Sequence, residues 1–327
     1  MKESLSVLLA MFLIVVVLGC GEKSGGKMQT IGLFQFGPDP TIDRAREGFL
    51  KGLADEGFKD GVNVKIDYKD AQGDFLTIQT IVQGFVSKKV DLIVPLTTPC
   101  LQAAVGRVKE IPVVFTAIYD PYIAGAAKSP EEHPPNITGV ASFPPVNETI
   151  ELAQKLFPNV KRMGVTWSTS ELCAESALKI ARKVCGEEGI ELAEVTVASS
   201  NEVLQAAQAL AQKGIDVFYA VGDNTVLTSF DAIVKVSKEQ RIPIIMNDPE
   251  FVERGALAAL GFDFYESGYA GGKLAARVLR GESPANIPIQ PVVVPRLIVN
   301  LENAKQMGVD IPKEIIERAD EVIGEQD

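Results

Sequence analysis

The chain has 327 residues, 46% of them apolar and 23% charged, with a formal charge of −11. That length suits two domains of ordinary size, and the composition is that of a globular protein. The acidic balance excludes a nucleic-acid binder, which needs clustered Lys and Arg to neutralise phosphates.

The first element is the apolar run Val7 to Leu18, which follows Lys2. As a helix it measures about 18 Å, short of a hydrocarbon core of about 30 Å, and it fits the apolar region of a signal peptide. Val17-Leu18-Gly19-Cys20 resembles a bacterial lipobox, with small Gly19 before the cysteine that would carry the lipid. The expectation is a signal peptide over 1–19, lipidation at Cys20, and a flexible polar tether over 20–28. The protein would then be extracytoplasmic and anchored to the membrane by lipid.

From Thr30 onward, strand and helix patterns alternate. "TIGLFQF" and "VNVKIDY" read as strands flanking a helix with Ile42, Ala45, Phe49 and Leu53 at helical spacing. Asp74 is placed to cap a helix through "FLTIQTIVQGFVSKK", and "DLIVPL" is a buried strand. Thr98-Pro99 opens another helix, and "IPVVFTAI" is a further strand. After a long loop, a second set repeats the order: "RMGVTW", a helix from Ser170 to Val184, "IELAEVTV", a helix after the capping box Ser199 to Glu202, "DVFYAV", a helix over Leu227 to Glu239, and "IPIIMN". This alternation implies an α/β protein with two similar Rossmann-like lobes, each a parallel doubly wound sheet. "SKKVDLIVPLTTP" and "AQKGIDVFYAVGDN" echo one another as two such lobes would. The last stretch, from "GALAALGF" to "PVVVPRLIVN", is too short for a third domain. It completes both lobes, so the chain crosses between them three times.

In open parallel sheets ligands lie beyond the carboxyl ends of the strands. The rule selects the loops holding Gln35 and Phe36, Thr97 and Thr98, Trp167 through Ser168 and Ser170 to Glu171, Asp223 and Asn224, and Asp248. These loops contain hydroxyls at helix N-termini, several acids, and no Lys or Arg. Hydroxyls and amides suit a carboxylate, and an Asp suits an ammonium, so the loops favour a zwitterion, above all an α-amino acid. Asp223 is the first candidate for the amine and Asp248 the second. Phe36, Trp167, Phe143 and Tyr119 could cover the ligand's side chain.

Catalytic signatures are missing. The single histidine, His133, lies in the loop "SPEEHPPN", so no Ser-His-Asp triad is available; G-x-S-x-G, P-loop and G-x-G-x-x-G patterns are also lacking. There is no CxxC or Cys/His cluster for a metal, and Cys173 and Cys185 fall about 18 Å apart in one helix, beyond disulfide reach. Neither enzyme activity nor a cofactor is expected. Glu171, Asp223 and Asp248 leave a carboxylate-pair hydrolase as a minor alternative.

"LTTPCLQAA", "IPVVFTAIYDPYIAG", "NITGVASFPPV", "LFPNVKRMGVTWSTSE", "VFYAVGDN" and "GALAALGFDFYESGYAGGKLAARVLRGESPANIPI" together resemble the ABC-transporter substrate-binding proteins of the tryptophan/aromatic-amino-acid type, within the type I periplasmic-binding fold. The resemblance implies a cleft between lobes, placed here at 29–142 plus about 249–290 and at 143–248 plus about 291–327. It also implies a monomer that binds a small ligand, such as an aromatic or apolar amino acid, by lobe closure and hands it to an ABC permease with its ATPase. A ligand-sensing subunit of a signalling assembly is the alternative use of the same cleft. Thr97, Thr98 and Pro99 match the family's anion loop, Asp223 and Asn224 its Asp-Asn, and Glu171 its loop glutamate. Cys173 and Ala174 stand where the family has Asn and Ser.

Overall fold

The computed structural model describes residues 28–291 and 294–325; the expected signal peptide, Cys20 and nearly all of the tether lie outside them. In the first lobe, β1 (Gln29–Gln35), α1 (Pro40–Asp55), β2 (Val64–Asp70), α2 (Phe75–Lys88), β3 (Leu92–Pro95), α3 (Thr98–Arg107), β4 (Val113–Ile118) and β5 (Ile137–Ala141) follow in order. The second begins with α4 (Val146–Leu156), β6 (Arg162–Ser168), α5 (Leu172–Glu187), β7 (Glu191–Val197), α6 (Val203–Gln212), β8 (Val217–Ala220), α7 (Asn224–Leu227), α8 (Phe230–Gln240), β9 (Ile244–Met246) and β10 (Ala258–Phe262). The chain then returns to the first lobe with α9 (Phe264–Leu279) and β11 (Gln290–Pro291). It ends in the second with β12 (Pro295–Asn300), α10 (Leu301–Met307), α11 (Lys313–Arg318) and β13 (Glu321–Ile323).

The strand orders are β11-β5-β4-β3-β1-β2 and β13-β12-β10-β9-β8-β6-β7. The pairings are parallel except between β10 and β12. The three expected crossings are present, after β5, after β10 and after β11. One boundary differs from expectation. The expectation puts residues from about 249 in lobe 1, yet β10 pairs with β9 and β12, so lobe 2 runs on to Phe262.

Each sheet is buried on both faces, and the strands divide their residues between the two by alternation. Ile31 and Leu33 pack on one side of the first sheet while Phe34 and Phe36 pack on the other. Met163, Val165 and Trp167 share one side of the second with Val217 and Tyr219, while Phe218 and Ala220 lie opposite. The returning α9 is locked to α1 by backbone contact. A Cβ on Gly268 would lie 1.9 Å from the carbonyl oxygen of Ala45, and one on Gly48 2.0 Å from that of Tyr265. Glycines on both helices therefore allow an approach that no larger residue permits.

Local signals were realised unevenly. Asp74 caps α2 by accepting from Leu76 and Thr77 N–H at 3.1 and 3.0 Å. Thr97, rather than Thr98, is the N-cap of α3, with Pro99 in its first turn. The helix expected from Leu227 to Glu239 is α8 and begins three residues later, because the chain turns at Thr228-Ser229 after the short α7. Glu171, not Ser170, precedes α5, which carries both Cys173 and Cys185 as free buried thiols.

Candidate functional site

The strand ends of the two lobes face each other across a narrow cleft. It is lined from lobe 1 by Asp39, Thr41, Ile42, Thr97, Thr98, Ala117, Tyr119 and Phe264, and from lobe 2 by Cys173, Gly222, Asn224, Leu227 and Asp248. The cavity between these residues is about 40 Å³, well below the roughly 300–1,000 Å³ of occupied small-molecule sites, so the two walls stand close together. Neither Lys nor Arg is among these lining residues.

Lobe 1 contributes two helix N-termini. Asp39 caps α1 through one oxygen, which accepts from Thr41 N–H at 2.8 Å and Ile42 N–H at 3.3 Å. Burial pushes its carboxyl up to about 6. At α3 no side chain caps the helix, and the buried hydroxyls of Thr97 and Thr41 have no hydrogen-bond partner. Open amides and hydroxyls at a helix N-terminus form an anion site.

Tyr119 is delivered by an irregularity in β4. The register with β5 shifts between Phe115 and Ile118, and Ala117 takes a left-handed φ of 57°, which is costly for a residue with a Cβ. The ring then packs against Phe264 at 6.1 Å between centroids. It also enters lobe 2 where Gly222 leaves room, since a Cβ there would sit 2.1 Å from the ring. Its hydroxyl donates to Oδ1 of Asp248. Two further contacts join the lobes: Ser176 donates to Asp120 at 3.1 Å, and Arg44 pairs with Glu250 at 3.1 Å.

Asp248 follows β9 and is buried, with Oδ2 lacking a partner. Burial pushes its carboxyl up to about 8; the Tyr119 hydrogen bond opposes that, while Asp39 and Glu250 add to it. The adjacent Asn247 is fixed by the Tyr219 hydroxyl at 2.7 Å and by its own donations to Thr149 at 2.7 Å and Leu260 carbonyl at 3.2 Å.

Of the residues anticipated from sequence, Thr97, Thr98, Tyr119, Asn224 and Asp248 line the cleft. The others are placed elsewhere. Asp223 spends both carboxylate oxygens on backbone, accepting from Ser168 N–H at 2.6 Å and Val226 N–H at 3.0 Å. It ties β6 to α7 and is not among the residues that line the cleft. Burial, and then Glu171, push its carboxyl up to about 7. Glu171 is buried beneath the wall, accepting from Asn224 at 2.9 Å and Thr225 at 3.4 Å, with the Cys173 thiol at 3.5 Å. Gln35 bonds Gly37, Asp43 and Arg46. Phe36 packs on Phe75 in the lobe-1 core. Trp167 belongs to the lobe-2 core, with the Arg182 guanidinium 5.4 Å from its ring centre. Ser168 and Ser170 bond each other at 2.8 Å, with Ser170 exposed.

Sequence reasoning missed Thr41, Leu227 and Phe264, and it assigned no role to Asp39 and Gly222, which lie in two of the selected strand-end loops. A proline after Asp39 did mark a helix start. Phe264 gave no signal, because the chain reaches it only after passing through lobe 2.

Residues 30–323 match the family described as ABC transporter substrate binding protein. A tyrosine-binding protein from Clostridioides difficile is 37% identical over 321 residues, covering 94% of this chain and 93% of the relative. A solved structure from Streptococcus pneumonia in complex with L-Trp superposes with a TM-score of 0.87 at 31% identity, covering 91% of this chain and all of that one. A ligand-free, open substrate binding protein with adhesive properties from Clostridium difficile has 35% identity over 91% of this chain and all of that one, yet its TM-score is 0.68. The chain therefore belongs to the ABC transporter substrate-binding proteins, a family of solute binders rather than enzymes.

Proposed function

We propose that the protein is the extracytoplasmic solute-binding component of an ABC importer, lipid-anchored through Cys20, and that it takes an aromatic or apolar α-amino acid into the interlobe cleft. The observation that carries this reading is the polarity of the cleft: the unpartnered hydroxyls of Thr97 at the α3 N-terminus and Thr41 in α1 on one wall, the buried Asp248 carboxyl on the other, and no lining Lys or Arg. A phosphate or dicarboxylate would meet no cation there, whereas a carboxylate and an ammonium each meet a complement. Tyr119, Phe264, Ile42 and Leu227 offer apolar surface for a side chain. The tyrosine-binding relative and the L-Trp complex support the same ligand class.

Contacts made by both lobes favour the closed state only through their differential affinity for it, and that state is what a permease would recognise. The higher TM-score to the L-Trp complex than to the open structure, at lower identity, supports reading this arrangement as closed. Calorimetry and thermal melting with the twenty amino acids test the proposal. Tyrosine, tryptophan or another apolar member should raise the melting temperature. A flat response across the panel would remove the amino-acid reading.

A further inference from the structure

The cleft wall carries a charged group whose partner is incomplete. Asp248 Oδ2 is buried and unbonded, while Oδ1 is held by a tyrosine from the opposite lobe. The titratable groups acting on it are Tyr119 at the end of β4, Asp39 at the start of α1 and Glu250 two residues on, with Tyr219 of β8 alongside. Arg44 and Arg296 are engaged by Glu250 instead, at 3.1 and 2.6 Å. Asp223 and Glu171, on the neighbouring lobe-2 loops, have a donor on each carboxylate oxygen and do not line the cleft, whereas Asp248 does. A buried carboxylate oxygen without a donor is costly unless something supplies one.

We propose that Asp248, and not Asp223, receives the ligand's ammonium, and that Tyr119 is the positioning residue that holds this carboxylate from the other lobe. The assignment rests on the amino-acid reading above. The ammonium donates to Oδ2 while Tyr119 keeps Oδ1, so one carboxylate joins ligand, lobe 1 and lobe 2. The Asn247 anchors keep the loop from turning Asp248 away. Without ligand the carboxyl is pushed up to about 8 and is largely protonated near pH 7. An ammonium stabilises the ionised form, so the acid gives its proton to solvent as the ligand, already charged, enters.

The test is calorimetry with L-tyrosine and L-tryptophan at pH 7 in phosphate and in Tris, whose different ionisation heats count protons. The deaminated analogues 3-(4-hydroxyphenyl)propionate and indole-3-propionate serve as comparison ligands. Wild-type protein should release a proton fraction with the amino acids and none with the analogues. Asp248→Asn should weaken the amino acids about 30-fold or more, abolish the release, and leave the analogues unchanged. Tyr119→Phe should weaken the amino acids about 10-fold or more and keep the release. Full affinity and undiminished preference for the amine in Asp248→Asn would overturn the assignment alone. If that variant does not fold, absence of proton release in the wild type between pH 6 and 8 overturns it. Failure of wild-type protein to bind either amino acid overturns the amino-acid reading, and this assignment with it.

Discussion

Replacing Gly222 by Ala adds one methyl group where lobe 1 enters lobe 2. The new Cβ would lie 2.1 Å from Cε2, 2.6 Å from Cζ and 2.7 Å from the hydroxyl oxygen of Tyr119. Carbon atoms come to rest at about 3.5–4.0 Å, so the ring must retreat by more than an ångström. Gly222 is not among the glycines with positive φ, so alanine brings no backbone strain, and the clash acts on closure rather than on folding. A retreat of that size breaks the Tyr119–Asp248 hydrogen bond. A bond to a charged acceptor contributes about 1.5–3 kcal/mol, so closure-dependent affinity should fall roughly 10- to 150-fold. Calorimetry with L-tyrosine or L-tryptophan measures the loss, and small-angle scattering reports whether ligand still compacts the molecule. Wild-type affinity with full compaction would refute the role given to this contact.

Three other outcomes are expected. Asp39, Asp223, Asp248 and Glu250 all have carboxyls raised above their ordinary values, to about 6, 7, 8 and 7. The folded protein therefore holds protons that the unfolded chain gives up, and stability falls as pH rises from 5 to 8. Thermal melts of ligand-free protein should show a higher midpoint at pH 5, and the reverse trend would contradict these environments. Gly268→Ala places a Cβ 1.9 Å from a backbone oxygen of α1; chemical denaturation should show a loss on the order of 1–3 kcal/mol despite alanine's better helix propensity. Cys20→Ser should move the protein from the membrane to the soluble fraction, and retention at the membrane would rule out the lipid anchor.

Much of the fold was legible because its signals are local. Alternating runs such as "VNVKIDY" and caps such as Asp74 need only their neighbours to be read. The lobe boundary was not legible. "ALAALGF" is apolar enough for any buried strand, and its place in the second sheet is set by β9 and β12, the latter more than thirty residues away. The same reason divides the site. The strand-end rule found the loops, but Asp223 and Asp248 are chemically identical in sequence. They differ in whether backbone amides from Ser168 and Val226, or one tyrosine from another lobe, reach them first. Trp167 looked like a ligand cover until strand phase put it in register with Met163 and Val165, inside the core.

The return of α9 to lobe 1 also sets an order of events during synthesis. Phe49 and Leu53 of α1 share their core with Phe264, Leu274 and Ala275, which are made long after the lobe-1 strands that end at Ala141. At about 5–20 residues per second, the interval between the two is roughly 6–25 s. Lobe 2 likewise waits for β12 and β13 at the end of the chain. The face of the first sheet that α1 and α9 cover cannot seal until most of the polypeptide has been made. That delay leaves one face of the first sheet uncovered in the nascent chain, a condition that favours threading through a narrow membrane channel more than a sealed lobe would.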